Sequence, residues 1–301
     1  MRIGADSATM AFPDVRLETI AARLNALRAP DSATPPAVSV VIPVNAKGDL
    51  RNVLRVLSDL AAYTGPHTVE VVLVVNNFAD DQPPAEIDEF NRLGARVVAV
   101  PSVRKPGEAV GFTARIHGVR AAASPHVVLL DADCRVPDAT ALLDWYVEQF
   151  QKGAAAAYTH VAYYEFSDAV SIRVRFLLHH ASRWIKRTVL RTPTTRGSNY
   201  GVRRETILDL YEQGRLADEM NVGPAFRRLA GRVAYSGDRR LTVYTSGRMF
   251  RPGWRRVAPY FVYRLKYNLR VLPVRAGVAG RTGRERDPER RYDEHNRPMR
   301  T

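Results

Sequence analysis

Cysteine is nearly absent from this sequence, with Cys134 the single one in 301 residues. No intrachain disulfide can form, so disulfide-stapled secreted folds are excluded and a reducing cytoplasm is the expected compartment. Long apolar runs are missing too. No stretch approaches the roughly 20 residues that span a bilayer, and Met1 to Pro13 lacks the apolar segment of a secretory signal. There is no G-x-G-x-x-G after the first apolar run and no G-x-x-x-x-G-K-[ST] anywhere, which disfavours a dinucleotide dehydrogenase and a P-loop NTPase. Acidic charge is the scarcer sign, with Lys+Arg 45 against Asp+Glu 31 and a formal net charge of +14. Such a balance favours anionic partners: nucleotide sugars, acidic lipids or nucleic acid. From Arg248 to Thr301, however, 15 basic residues stand against 5 acidic ones, so about +10 of the excess belongs to the C-terminal end. It says little about the body of the protein.

What is present is an alternation of short β-branched runs and amphipathic stretches. Val38 to Val44, Val69 to Val75, Arg96 to Val100 and His126 to Leu130 read as strands covered on both faces. Between them, Asp49 to Ala62, Pro84 to Leu93 and Gly111 to Ala123 read as helices, the first with Val53, Leu54, Val56, Leu57 and Leu60 on one face. Short connections between alternating elements predict an α/β fold with a mostly parallel, doubly wound sheet. Ligands of such sheets bind at the carboxyl ends of the strands, which places Val44-Asn45, Asn76-Asn77 and Asp131-Ala-Asp133 along one rim. Further on, Ala154 to Tyr164 reads as one strand and Asp168 to Leu190 as a long helix. Gly231 to Tyr235 and Thr242 to Arg248 each open on a strand. Residues 38–250 therefore form the expected body. Residues 1–37, a helix over Val15 to Leu27 plus a Pro-rich linker, read as an appendage. Residues 251–276 are a basic aromatic segment, and residues 277–301 have too little apolar content to fold.

Two carboxylates at the end of the strand His126 to Leu130 are chemically informative. At 4 Å and an effective dielectric near 20 they repel by about 4 kcal/mol. A bound cation removes that penalty, and such oxygen ligands suit Mg²⁺ or Mn²⁺ shared with substrate phosphates. The plainer alternative is that Asp131 and Asp133 cap the helix that Pro137 and Ala139 to Leu143 start.

Taken in order, these parts resemble the family 2 glycosyltransferases, GT-A-fold enzymes that transfer sugar from a nucleotide-diphosphate donor. The likeness runs from about Val38 to Arg248. Val38-Ser-Val-Val-Ile-Pro-Val44 is similar to that family's first strand, and Val71 to Asn77 to its second, with Asn76-Asn77 where an acid is usual. Gly111-Phe-Thr-Ala-Arg-Ile-His-Gly118 resembles its phosphate-side helix, with Ile116 where asparagine is common. Asp131-Ala-Asp133 resembles its metal motif, Gly197-Ser-Asn-Tyr200 its sugar-side loop, and Asp218-Glu219 its acidic pair, written here in reverse order.

The resemblance implies a metal-dependent, inverting glycosyltransferase with Mg²⁺ or Mn²⁺ on Asp133, and with Asp131 beside it on the nucleotide ribose or the metal. Pro43, Val44, Asn45 and Asn76 would meet the nucleotide, the last through its amide. Arg115 and Arg248 would reach the diphosphate, since guanidinium suits bidentate phosphate contacts; the alternative is a solvated charge for either. Ser198 and Asn199, with the Tyr200 phenol, would meet the sugar. Glu219 or Asp218 would take the acceptor's proton, unless the pair only complements a helix dipole. His179 and His180 adjoin on the long helix; one lines an acceptor cleft or, more plainly, both belong to core or surface. Trp254 to Leu272 mixes aromatics with cations, which fits an element at an anionic lipid surface or a helix packed on the body. The acceptor would then be lipid-linked, reached at the inner face of the cell membrane. Two other classes compete. A sugar-phosphate nucleotidyltransferase would carry a Gly-rich basic loop after its first strand, of which Val44-Asn-Ala-Lys-Gly-Asp49 is a poor version. A non-catalytic basic nucleic-acid-binding protein would use the C-terminal charge, without a recognised RNA or DNA motif.

Overall fold

Valine-rich runs too short for helices become the centre of a sheet. The computed structural model describes residues 17–28, 34–79, 82–101, 110–164, 170–189, 191–216 and 219–247. Its strands are β1 (Val38–Asn45), β2 (Val69–Asn76), β3 (Arg96–Val100), β4 (His126–Leu130), β5 (Ala156–Thr159), β6 (Val161–Tyr163), β7 (Asn199–Arg203), β8 (Val233–Ser236) and β9 (Val243–Thr245). Seven of them form one sheet in the order β3-β2-β1-β4-β7-β5-β8. Pairing is parallel except at β7, which runs against both β4 and β5. The predicted mostly parallel, doubly wound architecture is therefore the one observed.

The helices are α1 (Leu17–Ala26), α2 (Val53–Leu60), α3 (Glu86–Arg92), α4 (Val110–Ala121), α5 (Ala139–Gln151), α6 (Val170–Trp184), α7 (Arg204–Glu212) and α8 (Glu219–Leu229), with a π-helical turn at Ile185–Val189 after α6. Side chains alternate across each strand, so β1 sends Val40, Ile42 and Val44 to one face and Val41 to the other. The first face is covered by α1, α2, α3 and α5, the second by α4, α7 and α8. At Gly118 of α4 the helix lies so close that a Cβ would collide with the side chains of Val41 and Val74. The apolar faces explain why α1 is part of this core: Ile20 and Leu24 are buried in it, and the Val69 amide donates to the Leu27 carbonyl at 2.8 Å.

One expected element divides. Ala154 to Tyr164 is two strands, because Thr159 Oγ1 donates to the Leu241 carbonyl at 2.6 Å and the Val243 amide donates to His160 at 3.1 Å. Those bonds peel the chain off the main sheet after Thr159. β6 then pairs with β9 in a small parallel sheet. Among the described residues no helix is long and apolar enough to cross a membrane. The expected segments 251–276 and 277–301 lie outside the described residues.

Chain order sets where a ligand can bind. From β1 the chain winds outward to β2 and β3, then returns to β4 on the other side of β1. The crevice at the carboxyl ends of β1 and β4 is thus the switch point of the sheet. Asn45 and Asp131 are the residues at its edges.

Candidate functional site

On the β1–β2 side, asparagines shape the rim. Asn45 Oδ1 accepts from the Lys47 amide and from Asn77 Nδ2, both at 3.0 Å. Asn77 sits at φ 66°, a left-handed conformation that asparagine tolerates. Asn76 is turned toward the sheet. It is buried, and its amide nitrogen donates to the Val44 and Val74 carbonyls at 3.2 Å each. Its donor end therefore ties β2 to β1, because the strand end leaves carbonyls that need partners. Val44 is buried in the core and Pro43 stands beside it within β1, so the main chain there forms the crevice edge.

The turn after β4 is held from several sides. The Cys134 amide donates to the Asp131 carbonyl at 3.1 Å, and Arg135 exchanges backbone bonds with Tyr244 at 2.7 and 3.0 Å. The Arg135 guanidinium grips both oxygens of Asp59 at 2.8 and 3.0 Å, and the Val136 amide also donates to Asp59, at 2.7 Å. Asp138 caps α5, accepting from the Ala141 amide at 2.8 Å. That decides the helix-cap alternative against Asp131 and Asp133: the cap is a different aspartate. Asp133 is buried and accepts from Thr245 Oγ1 at 3.0 Å, while its carbonyl accepts from the Tyr164 hydroxyl at 3.0 Å.

One ligand atom each from Asp131, Asp133 and Cys134 lies within 4.8 Å of the others. Burial, reinforced by the two neighbouring aspartates, pushes the Cys134 thiol well above its ordinary range, and the thiol donates to the Ser198 carbonyl at 3.3 Å. The two carboxylates are the hard oxygen donors of this group, and they fit an ion such as Mg²⁺ or Mn²⁺.

Arg115 links the two sides of the site. Its guanidinium is buried and paired with Asp131 on one side and Glu219 on the other, with a further bond to the Gly111 carbonyl at 3.1 Å. Burial disfavours its charge, but Asp131 and Glu219 overcome that and hold its pKa above the ordinary value. With one carboxylate on each side, the guanidinium that α4 delivers forms a bridge and not a solvated charge. Gly197 makes room for it: a Cβ there would stand 2.7 Å from Arg115 Nη2 and 3.4 Å from Glu219 Cγ. Glu219 opens α8, where the Thr195 hydroxyl donates to its carbonyl at 3.1 Å and accepts from the Gly223 amide at 2.9 Å. Glu219 thus occupies the first helical turn and faces Asp131 across one guanidinium.

The Gly197-Ser-Asn-Tyr200 stretch is part of the sheet, and strand alternation decides where it points. Ser198 is buried, with its carbonyl on Cys134. The Asn199 amide donates to Thr159 Oγ1 at 2.5 Å and its oxygen accepts from the Tyr146 hydroxyl at 2.6 Å, so both ends of this side chain are bonded within the core. Tyr200 is buried on the opposite face, in the core under α4, α7 and α8. Asp218 and Arg248 lie outside the described residues. Thr245, Tyr164 and the Arg135–Asp59 pair, which fix the acidic turn, have no signal in the sequence beyond being polar.

The two histidines of α6 face Tyr163, His179 buried and His180 half-buried. His179 is buried, with Nε2 against Arg196 and 3.4 Å from the Tyr163 hydroxyl. Burial, then Arg196 and Arg183, pull the His180 pKa down to about 4. Burial and the same arginines, with Arg187, also lower His160. These groups are neutral when folded but bind protons when unfolded, so stability is complete above pH 6.5 and drains as pH falls toward 4. Replacing His180 with phenylalanine should flatten unfolding free energy against pH over that window by on the order of 2 kcal/mol, read from urea titrations. An unchanged slope would mean that His180 is solvated.

The sequence matches the family model described as glycosyltransferase-like family 2 over residues 35–255. Among solved structures, the mannosyltransferase PcManGT from Pyrobaculum calidifontis, in complex with GDP-Man and Mn²⁺, is similar at 18% identity and TM-score 0.50, over 87% of this chain and 76% of that one. S. aureus TarS 1–349 is similar at 16% identity and TM-score 0.50, over 79% and 64%. At these identities the likeness is one of fold. No curated protein matches the sequence.

Proposed function

The chain belongs to the family 2 glycosyltransferases, with their GT-A fold, and on that premise we propose that it moves a hexosyl group from a nucleotide-diphosphate sugar to an acceptor hydroxyl with inversion. The single observation that carries this reading is the placement of Glu219 and the Asp131-Ala-Asp133 turn on either side of Arg115, at the switch point of the sheet. A carboxylate near a cation-binding pair is what an inverting displacement requires. Glu219 accepts the proton of the acceptor hydroxyl as its oxygen attacks the anomeric carbon. The bond from that carbon to the diphosphate breaks on the opposite face, and the nucleoside diphosphate leaves with the electron pair. Asp133 and Asp131 are the residues to hold Mg²⁺ or Mn²⁺, which supplies neutralisation of charge on the leaving diphosphate. Arg115, paired with Glu219, holds that carboxylate in place. The GDP-Man and Mn²⁺ bound to PcManGT support a nucleotide-sugar donor and a divalent ion for this chain as well. A lipid-linked acceptor at the inner membrane face, with peripheral contact through residues 251–276, is in keeping with the basic aromatic composition of that segment.

A thermal-shift panel of UDP-, GDP- and dTDP-sugars with and without Mn²⁺ tests the assignment. One donor at 100 times its dissociation constant should add about 2.7 kcal/mol of stability, should need the metal, and should lose its effect in Asp133→Ala. Shifts indifferent to that substitution would remove the proposed site.

A further inference from the structure

Apolar side chains on a helix normally face the core, yet α6 and the π-helical turn that follows it set a stripe of them outward. Val174, Leu177, Leu178, Trp184, Ile185 and Val189 are between 45% and 67% exposed, and they are six of the eight large hydrophobics exposed among the described residues. Their spacing keeps them on one side, while Phe176, His179, His180 and Arg183 take the other, toward Tyr163 and the Thr194 carbonyl. The helix already has a core-facing side, so the outward stripe is not needed for folding. A contiguous apolar stripe of this kind marks an interaction surface.

Charge chooses the occupant. From Val170 to Arg191 the sequence holds no acidic residue, and besides Arg183, which is turned inward, and Arg187, which lies over the Tyr235 ring, it holds Arg173, Arg175, Lys186 and Arg191. A second copy docked through this face would set cation against cation. The chain's own residues 248–276 are no better, with eight basic residues and no acidic one. A surface that is apolar below and anionic above satisfies both the stripe and the unopposed positive charge of this segment. We propose that this face of α6 is a docking surface for an anionic lipid bilayer, with the helix lying in the interface and Trp184 at headgroup depth.

Position gives the surface a use. The inner side of α6 holds Arg196 through His179, and Arg196 immediately precedes Gly197 of the site. One helix diameter, about 10 Å, separates the stripe from that contact. Docking there brings the cleft beside the bilayer, although the surface itself stands without any assumption about sugar transfer.

Vesicle sedimentation of the full chain tests it. Mixed phosphatidylcholine–phosphatidylglycerol vesicles should bind the protein, added salt should weaken binding, and vesicles of phosphatidylcholine alone should bind far less. Leu177→Glu with Leu178→Glu keeps good helix formers on an exposed face, and should cut binding at least roughly 100-fold with far-UV circular dichroism unchanged. Brominated lipid should quench tryptophan emission, and Trp184→Phe should reduce that quenching. Wild-type binding by the double variant, or quenching indifferent to Trp184→Phe, overturns the proposal in favour of contact elsewhere. Self-association that the double variant abolishes overturns it in favour of a second copy.

Discussion

Transfer by a Glu219→Gln variant is expected to run roughly 100- to 10,000-fold slower than by the natural chain, the usual contribution of a positioned general base. The amide copies the shape of the carboxylate but cannot take a proton from the acceptor. In the proposed reaction Glu219 acts on the acceptor, so the loss should fall on kcat, and the thermal shift given by nucleotide sugar with Mn²⁺ should persist. Asp218→Asn run beside it separates the two neighbouring acids. A larger loss there moves the base one residue upstream, and a rate for Glu219→Gln comparable to the natural chain removes Glu219 from the mechanism. The substitution also takes one of two carboxylates from the buried Arg115 guanidinium. A modest loss of stability should therefore accompany the loss of rate.

The second large effect comes from the other end of the same contact. In Arg115→Met the Asp131 and Glu219 carboxylates lose the cation between them, a change that costs about 3–5 kcal/mol when the charges are buried. The Asp131 side chain is 32% exposed and water screens part of the repulsion, so the expected loss is near the lower end, roughly 3 kcal/mol. Urea titration at neutral pH measures it as a fall in midpoint at constant slope. Added Mn²⁺ should recover part of the loss, since a cation on Asp131 and Asp133 neutralises the same repulsion. Arg115→Lys should lie between, because a single ammonium cannot span both acids as the guanidinium fork does. A loss below about 1 kcal/mol would place the contact among ordinary exposed ion pairs.

These expectations rest on parts of unequal legibility. β1, β2 and β4 follow from valine-rich runs that only a strand covered on both faces accommodates. The rim position of Asp131 follows from its place just after β4. The direction of Asn199 does not follow. Its neighbours are small and polar and read as a loop, yet the stretch becomes β7 between β4 and β5, with Asn199 bonded to Tyr146 and Thr159. Which face a residue of a central strand takes depends on register, and register is settled by partners the local sequence does not name.

The sequence by itself determined the layered fold, the rim on which chemistry sits and the acids that a cation needs, because each depends on periodicity and on residues adjacent in the chain. Only the tertiary structure decided what the charges do to one another. Arg115 lies 104 residues from Glu219, and Thr245 lies 112 from Asp133. Contacts over such separations are made by the winding of the chain around the sheet, and a buried charge goes to whichever opposite charge that winding brings within reach.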